Sequence, residues 1–479
     1  MRSDSSSQHL RPRTVPADQI DVSALEPAAL RVVARLKDRG HEAYLVGGCV
    51  RDLLIGRRPK DFDVATGAHP RQVKSIFGNC RIIGRRFKLV HVRYGAKVIE
   101  TATFRREPAH REGEPLDFES LEPELAELEG QVASELPPVE SAGARTTKAA
   151  DLDALLITED NEYGTAQEDA LRRDFTVNAL FYDPKRHEII DWVGGLEDLQ
   201  RGVLRTIGDP DIRLAEDPVR ILRAIKFATR LGLRIDDPTW LSMCRHAPRL
   251  ALSAPPRVLE EILRLLRSGS ALGAFRMLRA CDALRVILPA VDEYLGDKDD
   301  PHAAARGETF WRLLEALDNE VHQGVEPATA VLVALLFLRI VERECDPDTR
   351  LAPGPVGDLH VVAAEVLEPV AMRSRLPRKD VARARRLLVM QRKFHQTPSK
   401  RFRPLLFASS EDFEEALLLF KLRVVARGQG WDIYEGWRER RSQALEAAPD
   451  AVATERKQVR RRRRRRRNGP SGRAGTVDG

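Results

Sequence analysis

The sequence predicts an α+β head on a mixed sheet, an all-α remainder and a disordered basic C-terminus. Three observations carry that expectation. Short β-like runs interleaved with helical stretches crowd between residues 43 and 104, and almost everything after Gly208 has helical character. Eight consecutive arginines, Arg460 to Arg467, form a block that repels itself and cannot pack.

Taken in order, residues 1–22 read as a disordered arm with no apolar signal stretch. A helix is expected over Pro27–Asp38, ended by Gly40. The β-like runs are AYLV (43–46), DFDVAT (61–66), RII (81–83), KLVHVRY (88–94) and KVIETATF (97–104), with the helical run PRQVKSIF between the second and third. From about 105 to 152 the chain is rich in Glu and Pro and reads as a mobile, acidic insertion. Order is expected to resume at Asp153, with a helix over EDALRRDFTVNALFYD and a hairpin around HEIIDWVGG. The predicted divisions are therefore a head over 23–207, a helical neck over 208–290, a helical body and tail over 291–446, and a disordered tail over 447–479.

Composition narrows the class. Of 479 residues, 42% are hydrophobic and 32% charged, which suits a soluble chain of several domains. The longest apolar run, Ala328 to Leu338, is too short to span a bilayer and predicts a buried helix. Five scattered cysteines without a CxxC predict reduced thiols and a cytoplasmic setting. The net charge of +7 hides segregation: residues 107–140 hold eleven acids against Arg111, and residues 455–467 hold nine Arg and one Lys against one Glu. A basic body with a concentrated basic arm is the footprint of a polyanion binder.

In KDFDVAT, Asp61 and Asp63 alternate with Phe62 on a strand, so both carboxylates share one face. Glu100 interrupts the otherwise apolar Val98/Ala102 face of KVIETATF. Neighbouring acids repel, and divalent ions relieve that repulsion while serving phosphoryl transfer. A solvated strand end and a satisfied edge Glu are the structural alternatives. In LVGGCVRDLLIG, Gly47 and Gly48 lead into a short helix, where backbone N–H groups can approach a phosphate, and Arg51 adds a cation one turn in.

In this order GG[x]VRD, DFD, a later strand acid, RRDFTVNAL and EDPVR resemble the class II branch of the polymerase-β-type nucleotidyltransferase superfamily, which holds CCA-adding enzymes and bacterial poly(A) polymerases. The resemblance covers about Tyr44 to Pro289 apart from the acidic insertion. It implies a polymerase-β-like head with a five-stranded mixed sheet and helical neck, body and tail. By that match Asp61, Asp63 and Glu100 bind two Mg²⁺ ions (Mn²⁺ being an alternative), and Gly47, Gly48, Arg51 and Asp52 form the turn that contacts the nucleotide. Arg172 and Arg173 are cations beside the triphosphate. Asp174 and Asn178, four apart on an expected helix, face a ribose, with Asp174 the candidate to approach the metals. Asp217 precedes Pro218 as an N-cap would. In the resembling family this EDxxR segment reads the base, which assigns Asp217 and Arg220 that task with Glu216 and Arg223 in support.

The implied activity is template-independent transfer of AMP from ATP to single-stranded RNA 3′ ends, releasing pyrophosphate, in the service of RNA decay. Poly(A) addition is favoured over CCA addition by Arg85-Arg86-Phe87-Lys88, by the poly(A)-polymerase-like stretch 398–423, by the arginine tail and by the absence of any HD dipeptide. A non-catalytic RNA-binding protein is the alternative from outside the enzymes. Residues 373–393, with nine basic residues against Asp380, form a candidate RNA track or a solvated basic helix. The acidic insertion is expected either to compete with RNA or to act as a passive linker.

Overall fold

The computed structural model describes residues 12–84, 88–106, 162–296, 301–346 (backbone only at 301–306), 358–396 and 402–446. The acidic insertion, Arg85–Phe87 and the arginine tail lie outside these residues. The chain divides into two units: one holds the residues up to Arg220 together with Leu233–His246, the other Ile221–Gly232 and the chain from Ala247 onward. The expected head–neck division at 207/208 is thus displaced, and Arg223 falls in the second unit.

The five β-like runs between residues 43 and 104 each hold a strand: β2 (Ala43–Val46), β3 (Asp63–Thr66), β4 (Cys80–Ile83), β5 (Leu89–Tyr94) and β6 (Lys97–Thr103). Asp61 and Phe62, expected on the second of them, precede β3, so strand alternation does not itself put Asp61 beside Asp63. The sheet nevertheless has eight strands, not five, in the order β1-β8-β7-β2-β3-β6-β5-β4. Two additions explain the difference. A hairpin of β7 (Leu180–Asp183) and β8 (Glu188–Asp191) docks on β2, and only β8 falls within HEIIDWVGG, where a hairpin was expected. Residues expected to be disordered form β1 (Arg13–Pro16), antiparallel to β8 with Val15 opposite Ile189. Only β3 and β6 run parallel among the neighbouring strands, so the sheet is mixed.

One sheet face is covered by α1 (Pro27–Asp38) and α3 (Pro70–Ile76), whose Val32, Val33, Leu36, Val73 and Ile76 pack on Leu45, Val64, Val90 and Ile99. Burying such aliphatic side chains stabilises the fold by about 1.5–3 kcal/mol each. The opposite face carries a smaller cluster in which Val46, Ala65, Phe104 and Phe181 meet Ala166 and Ala170 of α4 (Ala166–Leu171). A short helix, α2 (Gly48–Leu54), follows β2 directly. The long helix expected over 168–183 is a correction: α4 stops at Leu171, Phe175 is extended, Thr176–Asn178 forms a 3-10 turn and Leu180 opens β7. The β-branched and aromatic residues of FTVNALFY lose χ1 freedom in a helix and pack well in a sheet, so the strand prevails.

The second unit is helical, as expected. Its apolar run forms the helix Thr329–Glu344, in which every residue from Ala330 to Leu338 is buried. Phe394, Phe407, Phe413 and Phe420 gather around Trp437, whose indole N–H donates to Phe394 O at 2.9 Å. Among the described residues no helix is long and apolar enough to cross a membrane, and all five cysteines are free thiols.

Candidate active site

Strand pairing lays one row of residues across the sheet. Phe181 of β7 is opposite Val46 of β2, Val46 is opposite Asp63 of β3, and His91 of β5 is opposite Glu100 of β6. Asp63 and Glu100 each stand one residue ahead of the paired Val64 and Thr101. Period-2 alternation therefore brings Asp63, Glu100 and His91 to the face opposite α1, while Ile99 and Val64 are buried beneath. Phe62, expected to point away from its acidic neighbours, packs half-buried on that same core.

Asp63 is open to solvent at its surface yet ringed by protein. Burial, then Glu100, push its carboxyl from the ordinary 3.8 up to about 6, with Arg173 opposing and Asp61 adding to the rise. Cys49 lies beside it as a neutral thiol, held up to about 12 by burial and then by Asp63. Glu100 is half exposed and turned towards His91, with Oε1 3.2 Å from Nε2. That contact lacks hydrogen-bond geometry, since His91 Nε2 has no hydrogen-bond partner. Hard carboxylate oxygens crowded enough to hold a proton near pH 6 suit a divalent cation. As the side chains stand, no group of three His, Cys, Asp or Glu among the described residues converges on an ion position.

The glycine turn is built tightly. Gly47 has φ +74° and ψ −129°, a backbone that side chains resist, and a Cβ there would come within 2.9 Å of Arg173 Nη1. Its N–H donates to Leu180 O at 3.1 Å, tying the turn to β7. Arg51, expected as a cation facing the phosphate, is instead 2% exposed. Its Nε and Nη2 donate to Asp52 Oδ1 at 2.9 and 2.6 Å, and its Nη1 donates to Asn178 Oδ1. A guanidinium this buried must spend its charge on a partner, and the adjacent Asp52 supplies one. Arg51 and Asp52 thus form the floor under the turn.

Asp174 and Asn178 meet as expected, although through the 3-10 turn and not along an α-helix: Asn178 Nδ2 donates to Asp174 Oδ1 at 3.1 Å. Arg173 is fixed on several sides. Its Nε and Nη2 reach Asp169 Oδ2 at 3.2 and 3.0 Å, its Nη1 reaches Asn178 O at 3.2 Å, and its guanidinium lies 5.3 Å over the Phe181 ring. Arg172 Nε is 3.4 Å from Asp169 Oδ1. Sequence reasoning missed Asp169, although its i+3 and i+4 spacing to the two arginines was visible. It also missed Arg213, whose Nη2 donates to Arg172 O at 2.6 Å and Arg173 O at 3.1 Å. His91 carried no local signal.

Asp217 is half-buried and ends the helix α6 (Pro210–Glu216), its N–H donating to Arg213 O at 3.4 Å. The next helix, α7 (Val219–Leu231), begins one residue later than Pro218 implied. Glu216 is buried and accepts from Arg213 Nη1 at 3.1 Å and Arg220 Nη1 at 3.2 Å, while Arg220 Nη1 also donates to Arg213 O at 2.6 Å. Glu216 and one edge of Arg220 therefore serve the fold. Arg223 lies 5.5 Å over the Phe227 ring within the second unit.

A mixed sheet that presents paired acids beside a glycine turn and a short helix defines a nucleotidyltransferase head. Residues 43–205 match the family model described as the poly A polymerase head domain. Residues 232–295 match "Probable RNA and SrmB- binding site of polymerase A", and residues 354–469 match the polymerase A arginine-rich C-terminus. Poly(A) polymerase I of Salmonella typhi is 38% identical over 325 residues, 67% of this chain and 63% of that protein. Poly(A) polymerase I of Haemophilus influenzae is 39% identical over 60% of this chain and 58% of its own length. A CCA-adding enzyme of Lactobacillus delbrueckii is 31% identical over 54% of each chain. The solved Bacillus stearothermophilus CCA-adding enzyme in complex with CTP shares the fold, with a TM-score of 0.60 at 24% identity, over 88% of this chain and 83% of that one. The chain belongs to the family of poly(A) polymerases and CCA-adding enzymes. It spans less than two thirds of the length of its poly(A) polymerase relatives.

Proposed function

We propose that the chain extends RNA 3′ ends with AMP units from ATP without a template. The RNA 3′-oxygen attacks the α-phosphorus, the bond to the bridging oxygen breaks, and pyrophosphate leaves. The observation that carries this reading is the placement of Asp63 next to Glu100 on one open sheet face, where burial and then Glu100 push the Asp63 carboxyl up to about 6. Asp61, Asp63 and Glu100 are the residues to hold two divalent cations, Mg²⁺ by their hard oxygens, with Glu100 turning from His91 to do so. Bound there, such ions would lower the pKa of the attacking hydroxyl and neutralise the triphosphate.

The remaining residues bind and orient. With the Gly47 N–H spent on Leu180 O, the backbone N–H of Gly48 at the start of α2 faces the phosphates, held in shape from below by Arg51 and Asp52. Arg173, locked by Asp169, keeps a fixed positive charge near Asp63, and Arg172 extends it. Asp174 and Asn178 present a carboxylate and an amide to the ribose hydroxyls. Asp217 and the free edge of Arg220 offer acceptor and donor to the base. The RNA strand follows basic residues of the helical unit, where Arg378, Lys379 and Arg385 are exposed.

Addition of C and A to tRNA is the second reading, favoured by the CCA-adding relatives at 31–32% identity. One assay separates the readings. The chain is incubated with Mg²⁺, one nucleotide at a time, and either unstructured RNA or tRNA lacking its terminus. A long ladder with ATP alone supports poly(A) addition, and short C-then-A additions on tRNA support the second reading. No extension of either RNA would leave an RNA-binding module. Asp61→Ala or Asp63→Ala should abolish extension with RNA affinity nearly unchanged; a residual rate within about tenfold of wild type would refute the ion-binding role.

A further inference from the structure

The second unit contains a cavity of its own, about 380 Å³ in volume, that nucleotidyl transfer does not use. Five arginines line it, Arg339, Arg343, Arg392, Arg423 and Arg427, against the carboxylates Glu342 and Asp346. Three of the five converge on Glu342 alone. Arg339 Nη1 donates to its Oε2, Arg427 Nη2 donates to the same oxygen at 2.9 Å, and Arg423 Nε stands 2.8 Å from Oε1. One carboxylate cancels one charge, so this knot keeps an excess of positive charge. The strain is visible at Arg423. Burial, and then Arg427 and Arg339 working against the pull of Glu342, press its guanidinium below the ordinary arginine value.

Unused donors mark the same wall. Arg339 Nε and Arg423 Nε are buried atoms with no hydrogen-bond partner, the 2.8 Å approach of Arg423 to Glu342 being too oblique to count as one. Buried guanidinium donors are rarely left so unless something else completes them. Arg423 Nη1 meets His395 Nε2 at 3.2 Å, a contact that requires a neutral imidazole, so His395 brings no countercharge. Gln391, 5% exposed, also lines the cavity. Its Nε2 is spent on Leu387 O and Ala416 O at 3.2 and 3.1 Å, leaving Oε1 an acceptor without a donor. Those atoms are themselves sealed from solvent, so what the wall offers the cavity is its excess of guanidinium charge, with Arg392 and Arg427 exposed at its edge. Tyr294, with Arg343 5.3 Å over its ring, and Leu338, Leu359 and Leu388 supply an apolar side.

We propose that this cavity is a second ligand site, one that takes the phosphate of a ribose phosphate unit on its arginine cluster. Two sources share that chemistry: a free mononucleotide, or one nucleotide of a bound RNA strand. Planar guanidiniums favour phosphate over other small anions because each can bind it through two parallel hydrogen bonds.

The test titrates ribose 5-phosphate, which lacks a base and a triphosphate, into the intact chain by calorimetry. Saturable binding is expected, and it should persist in Asp63→Ala, which separates this site from the catalytic reading. Arg427→Gln, and Arg392→Gln at an exposed position of the wall, should each weaken binding about tenfold, the loss of one charge-assisted hydrogen bond. Glu342→Gln should tighten binding by a similar factor, because it removes the internal anion that competes for the arginines. A merely structural arginine knot predicts loss of stability in Arg427→Gln and Glu342→Gln, unchanged stability and binding in Arg392→Gln, and no such opposition of sign. Should Arg427→Gln fail to fold, Arg392→Gln and Glu342→Gln decide the matter. Absence of saturable binding, or unchanged affinity in the folded variants, overturns the proposal. A short oligoadenylate that displaces ribose 5-phosphate identifies the strand as the source; one that leaves it bound identifies a free nucleotide.

Discussion

Asp63 and Glu100 occupy neighbouring positions on the parallel strands β3 and β6 of the head sheet, each one residue before a registered partner. Burial, and then repulsion from Glu100, push the Asp63 carboxyl from the ordinary 3.8 up to about 6. For a carboxyl raised in the fold, the ionised form is disfavoured there and free in the unfolded chain. The metal-free protein therefore loses stability as pH climbs from about 4 through 6. Mg²⁺ requires the ionised form, so the gain in Tm that Mg²⁺ produces should be full near pH 8 and shrink below about pH 6. Asp63→Asn should raise the metal-free Tm near pH 8 and abolish the response to Mg²⁺. Scanning calorimetry with and without the ion checks both, and an Asn variant that still gains Tm from Mg²⁺ would exclude Asp63 from ion binding.

Gly47→Ala forces a side chain onto a left-handed backbone and into Arg173. The strain alone costs about 1–3 kcal/mol. Because the clash falls on the turn and on the arginine nearest Asp63, KM for ATP should rise at least about tenfold while RNA affinity stays put. Steady-state kinetics with filter-binding of RNA would show this. Equal losses in both quantities would point instead to general unfolding.

Arg51→Gln should destabilise the chain by about 3–5 kcal/mol, since it takes the buried guanidinium away from the Asp52 carboxylate. The double variant Arg51→Met with Asp52→Leu should recover most of that loss. Urea unfolding gives both numbers. Had Arg51 pointed at a phosphate, the single change would lower nucleotide affinity and scarcely touch the unfolding midpoint.

Neutralising Arg378, Lys379 and Arg385 together should weaken RNA binding and flatten its salt dependence. Three lost phosphate contacts reduce the slope of log K against log salt by about 2. Arg383 and Arg386 are poorer choices. Arg383 is spent on Asp412 and Glu415 at 3.1 and 2.9 Å, and Arg386 on Asp412 at 2.6 Å. A slope unchanged in the triple variant would turn the basic track into an ordinary solvated face.

Local pattern carried most of the head. β2 and β6 were legible because alternation and β-branched residues signal strands without help from distant neighbours, and the same alternation put Glu100 on the face of Asp63. After Asn178 only β8 was legible, because the helix before it ran on in expectation through Leu180–Asp183: Arg172-Arg173-Asp174 suits a helix, and the aromatic residues that end it act through the sheet. Contacts over long stretches of chain were invisible. β1 finds its partner near Ile189, and Arg51 finds Asn178 across 127 residues, so neither the extra strand nor the burial of that arginine had a local signature.

β1 also bears on how the molecule can be handled. It is the outermost strand on its side of the sheet, and only four residues long. An expression boundary set at Pro27, where the first long helix starts, would strip it away and bare the β8 backbone around Ile189 and Ile190. Unsatisfied strand margins recruit other chains. Such a trimmed protein should be prone to self-association even though every proposed ligand-binding residue is retained, so a failed preparation of it would say nothing about chemistry.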